Sequence, residues 1–322
     1  MLTYITRRIL FSIPVLILST FFCFAFVSLA GDPRQNLLAN PRFSRVHYHM
    51  LAHQYHLDVS IPVRYWYWVQ DVFTHKLGNS LLTSQPIWPD LTRVMGHTLQ
   101  VIVIAEVIAL VLGVAVGIYS AIRQYSFFDY TFTTVSFVGF AMPTFWLALL
   151  LQIAFTDIYL KWHVRIFYTS GLNSGVTSST WSIDRLQHIA LPVMTLSIIS
   201  FAFYSRYMRA SMLDVISTDY VRTARAKGLP ERKVIMRHVF RNALIPIVTV
   251  AALNFGALLG GAIVTETVFS LDGMGYYFIT KLGQLDVYAV MAYLAVTAVF
   301  VILFNLIADI LYGYLDPRVR YE

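Results

Sequence analysis

Four histidines, His47, His49, His53 and His56, fall within ten residues of one another. On a helix His49, His53 and His56 would share a face at a spacing that suits a metal ion. No Cys or Glu joins them and only Asp58 is near, so the expectation is a polar helix face and no metal site. A second set of groups stands out by its surroundings. Glu106, Glu266 and Asp309 lie in or at the ends of long apolar runs, where an ionisable group is costly. Such acids either line a polar translocation pathway and touch a cationic cargo, or bond across helices. Sequences of the form G-x-x-x-x-G-K-[ST], G-x-S-x-G and H-E-x-x-H are all missing. No residue is therefore assigned a catalytic role, and any nucleotide energy must come from another polypeptide.

The densest charge runs from Arg206 to Asn242, with nine Lys/Arg against Asp214, Asp219 and Glu231. On a helical wheel Tyr220, Val221 and Ala224 share one arc, while Asp219, Arg222 and Arg225 lie off it. Gly228 suits the left-handed turn that ends a helix, and Pro230 the first position of the next. In that second helix Ile235, Met236, Val239, Phe240 and Ala243 are expected on one face, opposite Arg237 and Arg241. Two short amphipathic helices joined by a turn make a docking element, where a mere connector needs far fewer residues.

The elements that position these groups are membrane spans. A mean hydropathy of +0.63 with 57% hydrophobic residues excludes a soluble globular chain. A bilayer core of ~30 Å needs about 20 apolar residues per helix. Runs of that length fall near 9–29, 98–121, 131–155, 188–207, 244–266 and 287–313. The first is too long for a signal-peptide core and is read as a retained span. Arg7 and Arg8 before it, and the basic loop after the fourth span, place the N- and C-termini in the cytoplasm. The fold expected is all-α, integral to the membrane, with six transmembrane helices. Residues 1–97 form the first span and an external loop subdomain. Residues 98–313 form a five-helix core with a cytoplasmic loop at 206–243, and 314–322 a cytoplasmic tail. Five of the six tryptophans lie outside the spans, where such rings favour the lipid–water interface. Gly113 and Gly117, and Gly256 and Gly260, are four apart and permit close helix approach. Pro143 interrupts the hydrogen-bond ladder of the third span and Pro192 that of the fourth. The single Cys23 excludes an intramolecular disulfide.

The segment Thr218–Pro246 resembles the cytoplasmic "EAA" loop of binding-protein-dependent ABC importer permeases, in the dipeptide/oligopeptide/nickel form. Tyr220, Arg222, Thr223, Ala224, Ala226, Lys227 and Gly228 match it, followed by Arg237-His238, Arg241-Asn242-Ala243 and Pro246. The resemblance continues through Leu57-Asp58, Pro62 and Tyr65, then Leu77-Gly78-Asn79-Ser80, Pro143 with Phe145-Trp146, and Glu266 to Gly275. It ends at Asn305, Asp309 and Asp316-Pro317-Arg318. His56 stands where the family usually has Gly, and Asp272 where it has Pro.

That resemblance implies an ABC importer permease fold whose coupling helix enters a cleft of an ATPase subunit. Asp219, Tyr220, Arg222, Thr223, Ala224, Arg225, Lys227 and Gly228 are the implied coupling residues, with Tyr220 and Ala224 packed into that cleft. Glu106, Pro143, Glu266 and Asp309 are the candidates to line the pathway. Implied partners are a second homologous permease, two ABC ATPase subunits, an extracytoplasmic substrate-binding protein and the lipid bilayer of a prokaryotic inner membrane, with no nucleic acid. ATP and Mg belong to the ATPases, and no cofactor binds this chain. Di- or oligopeptides are the implied cargo, with nickel chelates, glutathione, polyamines or oligosaccharides as alternatives. An ATPase-independent carrier is the rival from another class.

Overall fold

The computed structural model describes residues 2–30, 52–53, 56–74, 77–175, 181–259 and 262–315. Its helices are α1 (Leu2–Ala30), α2 (Ile61–Thr74), α3 (Ile87–Ile122), α4 (Phe127–Ala141), α5 (Thr144–Trp162), α6 (Ile183–Ile216) and α7 (Asp219–Ala226). The next helix, α8, starts as Glu231–Lys233, passes through a π-helical stretch over Val234–Phe240 and continues as Arg241–Leu259. It is followed by α9 (Ile263–Val268), α10 (Met274–Gly283) and α11 (Val287–Leu315). Among the described residues six helices, α1, α3, α5, α6, α8 and α11, are long and apolar enough to cross a membrane.

The 36 residues of α3 span about 54 Å at 1.5 Å per residue, well beyond a ~30 Å hydrocarbon core. Its ends therefore carry polar groups such as Asp90, Arg93 and Ser120, while its middle is mostly apolar and interrupted by Glu106. The pairing of α3 with α6 is the most extensive in the molecule, followed by α8 with α11 and α1 with α11. Glycine sets the first of these. A Cβ on Gly113 would lie 2.8 Å from that of Tyr204, and one on Gly117 2.7 Å from that of Met208. In the second, a Cβ on Gly256 would meet Phe304 at 2.7 Å, so the spacing read from sequence marks real helix contacts. Gly260 lies outside the described residues.

Three buried clusters follow one another along the bundle. One joins α1, α2 and the loop after it to the start of α3, α10 and the start of α11, through Phe24, Trp68, Leu81, Leu91, Met274 and Tyr288. The described residues between α1 and α3, among them Leu57, Trp68, Leu77 and Leu81, thus share a core with the spans. A middle cluster holds Ile102, Ile189, Leu196 and Phe269. The third, at the opposite end, gathers Met208, Met212, Val221, Ala224, Val234, Val239, Ala243 and Ile247.

Several local expectations are corrected. The run at 131–155 is two helices, because Met142 (ψ 124°) and Pro143 (ψ 134°) are extended between α4 and α5. The proline ring disfavours helical geometry at Met142, so Pro143 precedes a new helix rather than kinking a continuous one. Pro192, by contrast, sits inside α6 without breaking it. Pro230 is the cap residue before Glu231 and not the first helical position. Met236 is exposed and Val234 is buried. The π-helical stretch explains the exchange, since i→i+5 geometry brings Val234 and Val239 to the same side. Trp66, Trp88, Trp162 and Trp181 are exposed as an interfacial role requires, but Trp68 is buried in the first cluster.

Candidate functional site

The site begins with α7, eight residues whose first turn carries Asp219 and whose last carries Arg225, each at the helix end its charge favours. Its stop is local. Lys227 N–H donates to Thr223 O at 3.1 Å and Gly228 N–H to Arg225 O at 2.9 Å. Gly228 then turns at φ +75°. Nothing lies within 4 Å of where its Cβ would stand, so glycine is required there by backbone conformation alone.

One face of α7 turns inward. Val221 is 0% exposed and Ala224 6%, and both belong to one buried cluster with Met208 and Met212 of α6 and Val234 and Val239 of the π-helical stretch in α8. The Ala224 methyl is therefore largely enclosed by its own chain. Tyr220 is 45% exposed, and its hydroxyl accepts from Asn242 Nδ2 at 2.9 Å. Asp219, Arg222, Thr223, Arg225 and Lys227 are also exposed.

The turn is clamped from outside as well. Arg225 Nη2 donates to Glu231 Oε1 at 2.7 Å and its Nε to Oε2 at 3.1 Å. That hydrogen-bonded carboxylate raises the Arg225 guanidinium further above its ordinary value. From sequence, Glu231 is named only as an acid of the basic run and Asn242 only as part of the family motif, and neither is given a partner. Glu231 carried a signal, as an acid in the first turn of a helix, whereas the reach of Asn242 to Tyr220 depends on how α7 folds back. The product is a polar, tethered knob with an apolar root.

The four pathway candidates have separate neighbours. Glu106 is buried and accepts from Ser200 Oγ at 2.7 Å, Tyr204 OH at 2.6 Å and Asn254 Nδ2 at 3.2 Å, joining α3, α6 and α8. Glu266 is buried as well. It accepts from Thr98 Oγ1 at 2.6 Å and from the N–H groups of Gly275 and Tyr276 at 2.7 and 3.1 Å. Those amides are the open donors at the start of α10, a favourable seat for a carboxylate. Asp309 pairs with Arg8 at 3.2 Å, tying α11 to α1. Pro143 is exposed at the α4–α5 break. Each acid thus makes an interhelical polar contact.

Both departures from the family pattern have a local partner. Asp272 pairs with the Arg93 guanidinium, and its carbonyl lies 2.6 Å from His97 Nδ1. His56 takes the left-handed φ of +53° that glycine adopts freely, and its ring stacks on Tyr67 at 3.9 Å. His47 and His49 lie outside the described residues. Among those described, no group of three or more His, Cys, Asp or Glu could hold a metal ion.

Asp286 escaped the sequence reading. Fully buried, it accepts from Ser80 Oγ at 2.5 Å and from Leu81 N–H at 3.1 Å, with Lys281 Nζ at 3.7 Å. Its Oδ1 also lies 3.4 Å from Ala289 N, in the first turn of α11. The Leu77–Ser80 marker thus joins the start of a span 206 residues away in sequence. An aspartate just before a long apolar helix was the available cue.

Residues 113–321 match the family model described as "Binding-protein-dependent transport system inner membrane component". The chain is 37% identical over 340 residues to the dipeptide transport system permease protein DppB of Alkalihalophilus pseudofirmus, covering 100% of both. It is 36% identical over 323 residues to the oligopeptide transport system permease protein AppB of Bacillus subtilis, again covering 100% of both. With DppB of Escherichia coli the identity is 33% over 341 residues, at the same coverage. Among solved structures it is similar to the MetNI methionine ABC transporter in inward facing conformations. The TM-score is 0.57 at 16% identity, covering 73% of this chain and 100% of that one. An amino acid ABC transporter gives 0.51 at 14% identity, covering 69% and 94%. At such identities the two structures speak to the fold alone.

Proposed function

The chain belongs to the family of binding-protein-dependent transport system inner membrane components, and from that premise we propose that it is the permease subunit of an ATP-driven importer of di- or oligopeptides. The observation that carries the cargo is full-length identity of 36–37% to permeases named for dipeptide and oligopeptide transport. In this reading a second permease completes the pathway, two ATPase subunits bind ATP and Mg below it, and a binding protein delivers peptide from outside. Both termini are cytoplasmic, and 206–243 is the coupling loop between the spans.

The exposed face of α7 is then what the ATPase touches. Tyr220, Arg222 and Thr223 form its centre, with Asp219, Arg225 and Lys227 at the rim. Val221 and Ala224 root the helix in α6 and α8, while Gly228 permits the turn. A root of close-packed side chains moves as a unit, so displacement of α7 carries the ends of α6 and α8. The glycine contact of α3 with α6 and the Glu106 cluster pass it to α3. Coupling of this kind needs two states whose contacts differ in strength.

The test is reconstitution of the complete transporter in liposomes, with peptide-stimulated ATP hydrolysis and peptide uptake measured together. The Tyr220→Ala/Arg222→Glu protein should insert and assemble, yet lose uptake by about tenfold or more, as loss of interfacial anchor residues does. Uptake by this chain without any ATPase would refute the reading.

A further inference from the structure

The C-terminal end of α5 carries a cleft that the transport reading does not use. It has a volume of about 210 Å³ and lies between the last two turns of α5 and the loop returning toward α6. Thr156 and Tyr159 line it from the helix, and Arg165, Tyr168, Thr169 and Ser170 from the loop. Arg165 is exposed, with its guanidinium carbon 4.4 Å from the Tyr159 ring centroid and 5.0 Å from that of Tyr168. Among the described residues no carboxylate lies within ion-pair distance of it. Its charge is flanked by two rings, with no counter-charge in ion-pair reach among the described residues.

The cleft is built rather than incidental. Tyr168 stacks on His188, itself buried, at 3.8 Å, and its N–H donates to Gln187 O at 3.2 Å. Gln152 Nε2 donates to Thr169 O at 2.7 Å, fixing the facing edge of the loop. Phe155 and Phe167 also line the cleft, and Leu160, Trp162, Val164 and Ile166, interleaved with the lining residues in sequence, are apolar and exposed. Trp162 ends a membrane-length helix, the level at which tryptophan marks the lipid–water boundary. Below, Leu149 lies two turns before Thr156 on the same side of α5 and is exposed, as is Ile153.

An unpaired arginine with hydroxyls beside it recognises a phosphodiester, which its planar fork can grip with two hydrogen bonds. Apolar lining from Phe155 and Phe167, with exposed apolar side chains beside it in sequence at the end of a span, fits a ligand with hydrocarbon attached. We propose that this cleft binds the headgroup phosphate of an anionic phospholipid whose acyl chains run down α5 past Leu149 and Ile153. An anionic headgroup is favoured because a zwitterionic one brings its own cation to a site that already holds one.

The test is native mass spectrometry of the full-length chain in its transporter complex, delipidated and then titrated with phosphatidylglycerol or phosphatidylcholine. The tightest phosphatidylglycerol site should weaken by about tenfold or more in Arg165→Gln, the loss of a hydrogen bond to a charged group. Arg165→Lys, which keeps the charge but loses the planar fork, should weaken it less than Arg165→Gln does, and Thr156→Val, which removes one hydroxyl and keeps the shape, should weaken it a few-fold. Excess glycerol phosphate should not displace the lipid. Unchanged phosphatidylglycerol binding in both Arg165→Gln and Thr156→Val would overturn the proposal. So would displacement by glycerol phosphate, which would make this a soluble-anion site, or equal preference for phosphatidylcholine.

Discussion

Arg209 grips Asp129 through two parallel hydrogen bonds, Nε to Oδ1 at 2.7 Å and Nη2 to Oδ2 at 2.8 Å. The carboxylate belongs to the first turn of α4 and is 2% exposed, whereas the guanidinium comes from α6. Tyr125 N–H and Thr133 Oγ1 also donate to it, at 3.0 and 3.3 Å. The pair fixes where α4 crosses α6, with Arg209 lying in sequence between Met208 and Met212, which share a buried cluster with Val221 and Ala224 of α7. It is a bidentate brace on the same framework that holds α7.

The hydrogen bonds from Arg209 hold the Asp129 carboxyl below its ordinary value. A lowered folded-state value gives stability that is present above the unfolded value of ~3.9 and is lost as pH falls through the lower folded one. Asp129→Asn should therefore lower stability by roughly 2–4 kcal/mol near neutral pH, since it strips the charge from a largely buried pair. Its difference from the native chain should shrink in acid. Thermal unfolding in detergent across that pH range measures both.

Val221→Asp places a carboxylate among Met208, Val234 and Ala243 without a partner. The expected outcome is release of α7 from α6 and α8, detected as protease cleavage near Gly228 in a chain whose spans remain inserted. Gly228→Val should act differently, through φ +75° alone, at a cost of about 1–2 kcal/mol. Its α7 should stay docked and resist cleavage better than in Val221→Asp.

Asp286→Ala leaves Ser80 Oγ, Leu81 N–H and Lys281 Nζ without their shared acceptor in a buried site. Stability should fall by roughly 3 kcal/mol, the scale for removing one member of a buried charged network. Ser80→Ala, which removes one donor, should cost about 1 kcal/mol. Unfolding midpoints of the two variants give the comparison.

Gly117→Leu drives a side chain into Met208 and the Ser205 carbonyl. Overpacking of this kind costs about 1–3 kcal/mol or more, and the backbone contact here leaves little room for relief. Poor membrane accumulation is expected, whereas Gly96→Ala, in open space on the same helix, should accumulate normally. Immunoblots of membrane fractions read the outcome.

His56→Gly relieves a left-handed backbone but removes the stack on Tyr67, two effects of opposite sign and each about 1 kcal/mol. The variant should match the native melting temperature closely. His56→Val loses the stack and keeps the strain, so it should melt lower.

Particular residues show how far the sequence reached. The turn at Gly228 was legible because a lone glycine between two amphipathic stretches has one main use. The close approach at Gly113 and Gly117 was legible because small residues four apart in an apolar helix point to one contact. The inward face of the second loop helix was misread because a wheel of 100° per residue cannot represent a π turn, where Val234 and Val239 align. At Pro143 the proline signal was seen, but whether it bends a helix or separates two depends on neighbouring packing. Glu106, Glu266 and Asp309 were found without the residues they bond, whereas Asp129 and Asp286 were missed.

The sequence by itself determined the solvent and the periodic parts of this protein. Six apolar runs, the side on which basic residues gather and the two-helix design of the loop all follow from short-range composition and spacing. Tertiary structure decided which polar groups are spent on holding the bundle together. Glu106 meets Ser200, Tyr204 and Asn254, and Asp286 meets Ser80, across separations of 94 to 206 residues. A buried carboxylate needs donors from whichever helix folding brings beside it. Local sequence records the need but not the neighbour, because the neighbour is chosen by how whole helices pack.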